Sequence, residues 1–207
     1  MKPLIDNNHF IITLNKVDIL TLSGVITSSL AIAAALSGAI YLCTSLLFLA
    51  MLGDALDGIL ARKFKLERPF GRYLDGFMDI LIYLVAPTLA LYVHGFNAFW
   101  VLALWPVLIC GSIRLAVFND IGNIQESNGL AYLGMPVFWS VFILAGFLLL
   151  EFVLPQVLVY SALAVSLILF SYAMIIRRPF FKFKKLSHIL CLTIGNSLLF
   201  LLLHLSR

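Results

Sequence analysis

The chain has 207 residues, of which 62% are hydrophobic and 12% charged, with a net charge of +4 and a mean hydropathy of +1.06. A soluble globular chain carries about 45–50% apolar and about 25% charged residues. A disordered chain, a basic nucleic-acid arm and a small disulfide scaffold are therefore excluded, and the composition is that of a polytopic membrane protein.

Residues 4–14 mix Phe10, Ile11, Ile12 and Leu14 with Asp6 and two asparagines. They fit either a short interfacial helix ahead of the first span or a loosely ordered tail. No cleavable signal is evident, and the first apolar run, from Val17, is long enough to remain as a span. Seven apolar stretches succeed one another, near residues 17–38, 40–61, 72–94, 98–118, 131–152, 155–176 and 187–205. Each approaches the roughly 20 helical residues that a bilayer requires. Connections are short and the composition does not shift, so one domain over residues 1–207 is expected. The expected fold is an all-α integral membrane protein: a polytopic bundle of six core transmembrane helices plus a seventh, C-terminal helix. Cys43, Cys110 and Cys191 lie in apolar runs and read as small buried hydrophobes.

Lysine and arginine fix the sidedness. They cluster at Lys2 and Lys16, at Arg62-Lys63-Lys65-Arg68-Arg72, at Arg114 and at Arg177-Arg178-Lys182-Lys184-Lys185. With the N-terminus inside and seven alternating spans, all of these fall on the inner side and only Arg207 falls outside. The positive-inside rule selects that topology, and it explains the basic balance without nucleic acid.

Four of the ten acidic residues, Asp54, Asp57, Asp75 and Asp79, lie inside two of the spans within a 26-residue window. A single charge at mid-helix costs about 2.5–3.5 kcal/mol on insertion scales, so a cation must offset four. Asp54 and Asp57 are spaced i, i+3 and share a helix face, which Gly58 and Ala61 extend; Asp75 and Asp79 are spaced i, i+4 on the next helix. Antiparallel spans joined by a loop of about ten residues would let the two pairs converge at the cytoplasmic boundary. An all-oxygen site without histidine or cysteine suits Mg²⁺ or Mn²⁺. Asp18, at the start of the first span, reads instead as a helix-end residue capped by water or paired with an arginine.

The residues run Asp54-x2-Asp57-Gly58-x2-Ala61-Arg62-x8-Gly71-x3-Asp75-x3-Asp79. All eight fixed positions match the signature of the CDP-alcohol phosphotransferase family, with a chance of coincidence on the order of one in 10¹⁰ per window. The resemblance implies cleavage of CDP-diacylglycerol, release of CMP and transfer of the phosphatidyl group to a small alcohol. It implies that Asp54, Asp57, Asp75 and Asp79 ligate metal, two ions in all, and that Asp79 is also the base. It places Asp57, Gly58, Ala61, Arg62, Gly71 and Asp75 against the CDP-lipid, the small residues by baring the helix surface and Arg62 by forking onto phosphate. The family resemblance goes with a homodimer in contact with membrane lipids; the short chain without an organelle signal fits a bacterial inner membrane, and the basic loops put the active site toward the cytoplasm.

Within that family the run Arg114-Leu115-Ala116-Val117-Phe118-Asn119, followed by Gly134-Met135-Pro136, resembles the phosphatidylserine synthases, as does Val85-Ala86-Pro87. Arg114 is the only basic residue between Tyr73 and Ile176. A bidentate pair with the carboxylate of L-serine fits it, and so does lipid phosphate or a structural aspartate. Departures exist. Ile82-Tyr83-Leu84 stands where those synthases carry Ser-Phe-Gly, Gly76 stands for their serine, and Arg68 for their serine or threonine. Tyr83 and Trp139 look more like the phosphatidylcholine synthases. Choline, inositol or a glycerol phosphate as acceptor, and a carboxylate-lined cation transporter, are the competing readings. His9, His94, His188 and His204 are scattered and read as interface or loop residues, and Glu151 has no assignable role.

Overall fold

The computed structural model describes residues 11–122, 124–126, 129–180 and 186–206. The segment proposed as an interfacial helix lies mostly outside these residues, as do Lys182, Lys184 and Lys185; Ile11 to Leu14 are not helical. The chain runs α1 (Lys16–Leu36), α2 (Ile40–Phe64), α3 (Pro69–Asp79), a π-helical turn (Ile80–Val85), α4 (Ala86–Val93), a 3₁₀ segment (Ala98–Ala103) and α5 (Leu104–Ile121). A hairpin of β1 (Ile124–Glu126) and β2 (Gly129–Leu133) follows, then α6 (Trp139–Leu150), α7 (Gln156–Ile175), β3 (Pro179–Phe180) and α8 (Leu186–Leu205). Among the described residues six helical segments are long and apolar enough to cross a membrane: α1, α2, α3 through α4, the 3₁₀ segment with α5, α7 and α8. The C-terminal helix is thus a full-length one. The expected span that falls short is α6, of 12 residues.

The expected span over 131–152 begins instead as strand. Residues 129–131 pair antiparallel with β1, and Tyr132 and Leu133 pair with Phe180 and Pro179 of β3. Gly134 then turns at φ +74, a left-handed conformation that suits glycine, and a Cβ there would run into the Met174 carbonyl. The Gly134 and Met135 amides donate to Arg178 O and Ala173 O, both at 2.9 Å, which ties the hairpin to the end of α7. A rise of about 1.5 Å per residue leaves α6 well short of a roughly 30 Å hydrocarbon layer. It is sheathed by protein: Ser140, Val141, Leu144, Ala145, Phe147 and Leu148 are buried, so no unsatisfied backbone need face lipid beside it.

The loop between α2 and α3 is shorter than expected, residues 65–68, because both helices run further. Lys65 closes α2 at φ 55, with Leu66 N bonded to Ala61 O at 2.9 Å, and Pro69 opens α3 at the position where its missing N–H costs nothing. α1 packs along α2 and also against α3 and α4, whereas the α2 and α3 backbones stand apart and α2 meets the third span at the π-helical turn and α4. The pair is splayed and α1 bridges it.

The third span is not a uniform helix. Pro87 lacks an amide for the helical ladder and its ring crowds the preceding turn; the π-helical turn at 80–85 lies just before it, a common accommodation of such a break. Ile82, Tyr83 and Leu84 are buried there. At the opposite end of the bundle His94 Nε2 lies 2.8 Å from Glu151 Oε2, which gives Glu151 a partner that the sequence had not shown. Of the cysteines, only Cys43 is fully buried; Cys191 faces outward from α8.

Candidate active site

The four aspartates are carried by the parts of α2 and α3 nearest the 65–68 loop that joins them. A cavity of about 390 Å³ opens between these helices, walled by Asp54, Asp57, Gly58 and Arg62 on α2 and by Asp75 and Asp79 on α3. Tyr83, Arg114, Phe118, Tyr132, Pro136 and Phe138 close it on the other sides. One carboxylate oxygen from each of Asp54, Asp57 and Asp75 lies within 4.8 Å of the other two. Asp79, one turn deeper on α3, lies against Asp54 and is 8% exposed. The splay of α2 from α3 gives four carboxylates a shared volume rather than a helix contact. Oxygen donors in this arrangement suit a hard divalent cation.

Two of these carboxylates have hydroxyl partners that sequence reasoning missed. Thr21 Oγ1 of α1 donates to Asp57 Oδ2 at 2.5 Å, and Tyr83 OH donates to Asp54 Oδ2 at 2.7 Å. Tyr83 is four residues beyond Asp79, a spacing that placed it near the site in principle. Thr21 is 36 residues from Asp57, and nothing local announces that pairing.

Gly58 and Arg62 line the cavity, and the Arg62 guanidinium folds back to 3.7 Å from the position a Gly58 Cβ would take. Ala61 and Gly71 do not line it. Gly71 lies on the side of α3 toward Asp18 instead, where an added Cβ would stand 3.7 Å from the Asp18 carboxylate, an ordinary contact. Asp18 caps α1 reciprocally with Asn15 and forms an ion pair with Arg68, the helix-end role expected of it. Arg68 also donates to Thr13 O at 3.0 Å. Gly76 explains itself by close approach: a Cβ there would collide with the Asn119 amide of α5.

Arg114 is 5% exposed. Its guanidinium carbon lies 5.0 Å from the Phe118 ring centroid and 5.4 Å from that of Tyr132. It makes no ion pair with Asp79, although its charge acts on that residue, and its Nε is buried without a hydrogen-bond acceptor. Burial pushes the Tyr132 phenol up to about 12, with Arg114 pulling the other way; it is a neutral hydroxyl at physiological pH.

The family model of the CDP-alcohol phosphatidyltransferases matches residues 14–178. The chain belongs to that family. It is a membrane-embedded phosphatidyltransferase, and the match spans every element from α1 to the end of α7 while leaving α8 outside. The chain is similar to a CDP-diacylglycerol–serine O-phosphatidyltransferase of Bacillus subtilis, 30% identical over 80% of this chain and 89% of that protein. It is similar to an archaetidylserine synthase of Methanothermobacter thermautotrophicus, 26% identical over 74% of this chain and 66% of that protein. It is also similar to a phosphatidylcholine synthase of Pseudomonas aeruginosa, 31% identical over 58% of this chain and 51% of that protein.

Proposed function

We propose that this phosphatidyltransferase moves the phosphatidyl group of CDP-diacylglycerol to the hydroxyl of L-serine, releasing CMP and phosphatidylserine. The observation that carries the choice of acceptor is Arg114: a buried guanidinium in the cavity wall with an unsatisfied Nε. A buried donor without a partner is costly, and a carboxylate offers the geometry that an arginine fork matches. Choline fits less well. The aromatic faces that would cage a quaternary ammonium, Phe118 and Tyr132, already lie under the Arg114 cation. The similarity to the serine-using enzyme of Bacillus subtilis, which covers most of both chains, supports the same acceptor.

In this reading Asp54, Asp57, Asp75 and Asp79 hold divalent metal, Mg²⁺ or Mn²⁺. Bound there, it would neutralise the pyrophosphate and the departing CMP. The chain's own groups do the rest. Arg62, at the exposed end of α2, binds phosphate oxygens, and Gly58 lets the nucleotide approach the helix. Arg114 orients serine by its carboxylate. Asp79 accepts the proton of the serine hydroxyl as its oxygen bonds to the lipid-linked phosphorus and the bond to CMP breaks. Residence in a bacterial cell membrane with the cavity facing the cytoplasm, as the basic loops favour, and a homodimeric state complete the proposal. Family membership displaces the transporter reading. The acidic cluster sits at one end of the bundle, and the opposite end has the His94–Glu151 pair.

Acceptor saturation tests the reading. Arg114→Ala should raise the KM for serine at least tenfold, while the KM for CDP-diacylglycerol stays near that of the parent; Arg114→Lys should restore only part of the loss, because it cannot fork. An unchanged serine KM in Arg114→Ala would remove Arg114 from acceptor binding, and a parent protein that releases no CMP in response to serine would remove serine from the proposal.

A further inference from the structure

We propose that Thr21 and Tyr83 are positioning residues of the acidic site: each holds one carboxylate of α2 in the pose from which it binds a cation. The proposal rests on the metal-dependent reading above. It concerns two residues outside the eight-position motif.

Asp54 and Asp57 share one helix face, but their carboxylates can still rotate. What stops rotation is a donor on a neighbouring element. For Asp57 that donor is the Thr21 hydroxyl, itself 8% exposed and facing an aspartate 3% exposed. Thr21 Oγ1 also lies 3.2 Å from Val17 O. A hydroxyl has a single proton, and the shorter approach to the charged acceptor, 2.5 Å, takes it. For Asp54 the donor is the Tyr83 phenol, 2% exposed.

Tyr83 is itself held on both sides. It sits in the π-helical turn, and its carbonyl accepts from Ser140 Oγ of α6 at 2.5 Å. The two donors thus come from different elements, α1 and the third span, and meet the α2 pair from separate directions. Each takes one oxygen, Oδ2, of its carboxylate, which leaves the remaining lone pairs for a cation. Ligating carboxylates characteristically have such outer partners, and removing a partner weakens metal binding roughly 10–100-fold. In Tyr83 the hydroxyl is also a departure: the phosphatidylserine synthases that this region resembles carry phenylalanine in their Ser-Phe-Gly run.

The test compares Thr21→Val, Thr21→Ser and Tyr83→Phe in the purified full-length protein. Mn²⁺ binding is read from loss of the free-ion EPR signal without any nucleotide lipid, and turnover is then followed against Mn²⁺ concentration. Thr21→Val and Tyr83→Phe should each bind Mn²⁺ roughly tenfold more weakly or worse. Thr21→Ser should stay near the parent, and turnover of the weak binders should recover at saturating Mn²⁺. Tyr83→Phe removes one oxygen and keeps the ring, so it carries the test should Thr21→Val fail to fold. Parental Mn²⁺ affinity in Tyr83→Phe overturns the positioning role and leaves the metal-dependent reading standing. A parent protein that binds no Mn²⁺ and ignores chelator overturns that reading itself.

Discussion

At the scale of single residues, the acidic site is a problem of charge held in an apolar slab. Four carboxylates within two spans are costly unless chemistry needs them, which is why rarity alone marked Asp54, Asp57, Asp75 and Asp79 in the sequence. Asp79 combines burial with a place at the deep wall of the cavity. Asp79→Asn should lower CMP release by roughly 10²–10⁴-fold, the usual worth of a general base, with a melting temperature near the parent's. Melting near the parent's with full turnover would remove Asp79 from the mechanism. The Asp18–Arg68 pair is a different case. Asp18 is buried and Arg68 partly exposed, so Arg68→Ala strands a carboxylate among α1 and α3. A loss of about 1–3 kcal/mol is expected, read as a lower midpoint in a thermal melt in detergent. The sequence showed that Asp18 would be capped or paired. It gave no way to see that Arg68 is the partner, 50 positions along the chain.

Elements explain where sequence reading was less accurate. The run Gly129 to Leu133 is apolar and adjoins the apolar run of α6, and periodicity does not separate a short buried strand from a helix. The left-handed turn at Gly134 and the pairing of Tyr132 with Phe180 made the difference, and that partner is 48 positions along the chain. Likewise spans two and three were expected as antiparallel neighbours; α2 does meet the third span through the π-helical turn and α4, while α3 itself diverges from it. The α1 helix that packs against both, with Thr21 facing Asp57, is a tertiary fact that spacing within α2 cannot contain. The attachment of α8 gives a prediction at this scale. Ser45 and Ser197 bond across the α2–α8 interface, their hydroxyls 3.0 Å apart, beside the buried Phe200 ring. Hydrogen bonds between membrane helices average about 0.6 kcal/mol, so Ser197→Ala should cost about that much in a reversible unfolding titration. A loss several times larger would mean that the serine pair, rather than packing around Phe200, fastens α8.

For the whole molecule, the fold class was legible because 12% charge and long apolar runs leave little choice of solvent. The reaction class was legible because eight residues at fixed spacing match the signature of the family to which the chain belongs. The acceptor was only partly legible. It depends on Arg114 meeting the Phe118 and Tyr132 rings, and on a cavity whose wall is finished by Leu186 and Ile189 of α8, beyond the residues matched to the family. The central claim is a metal-dependent transfer to serine at one cavity. Its most direct test is CMP release from CDP-diacylglycerol by the purified protein, with Mn²⁺, Mg²⁺ or chelator, and with serine, choline, inositol or glycerol 3-phosphate. The account predicts release that needs both serine and a divalent ion and that disappears in Asp79→Asn. Release driven by choline and indifferent to serine, or release that persists in chelator, would contradict it.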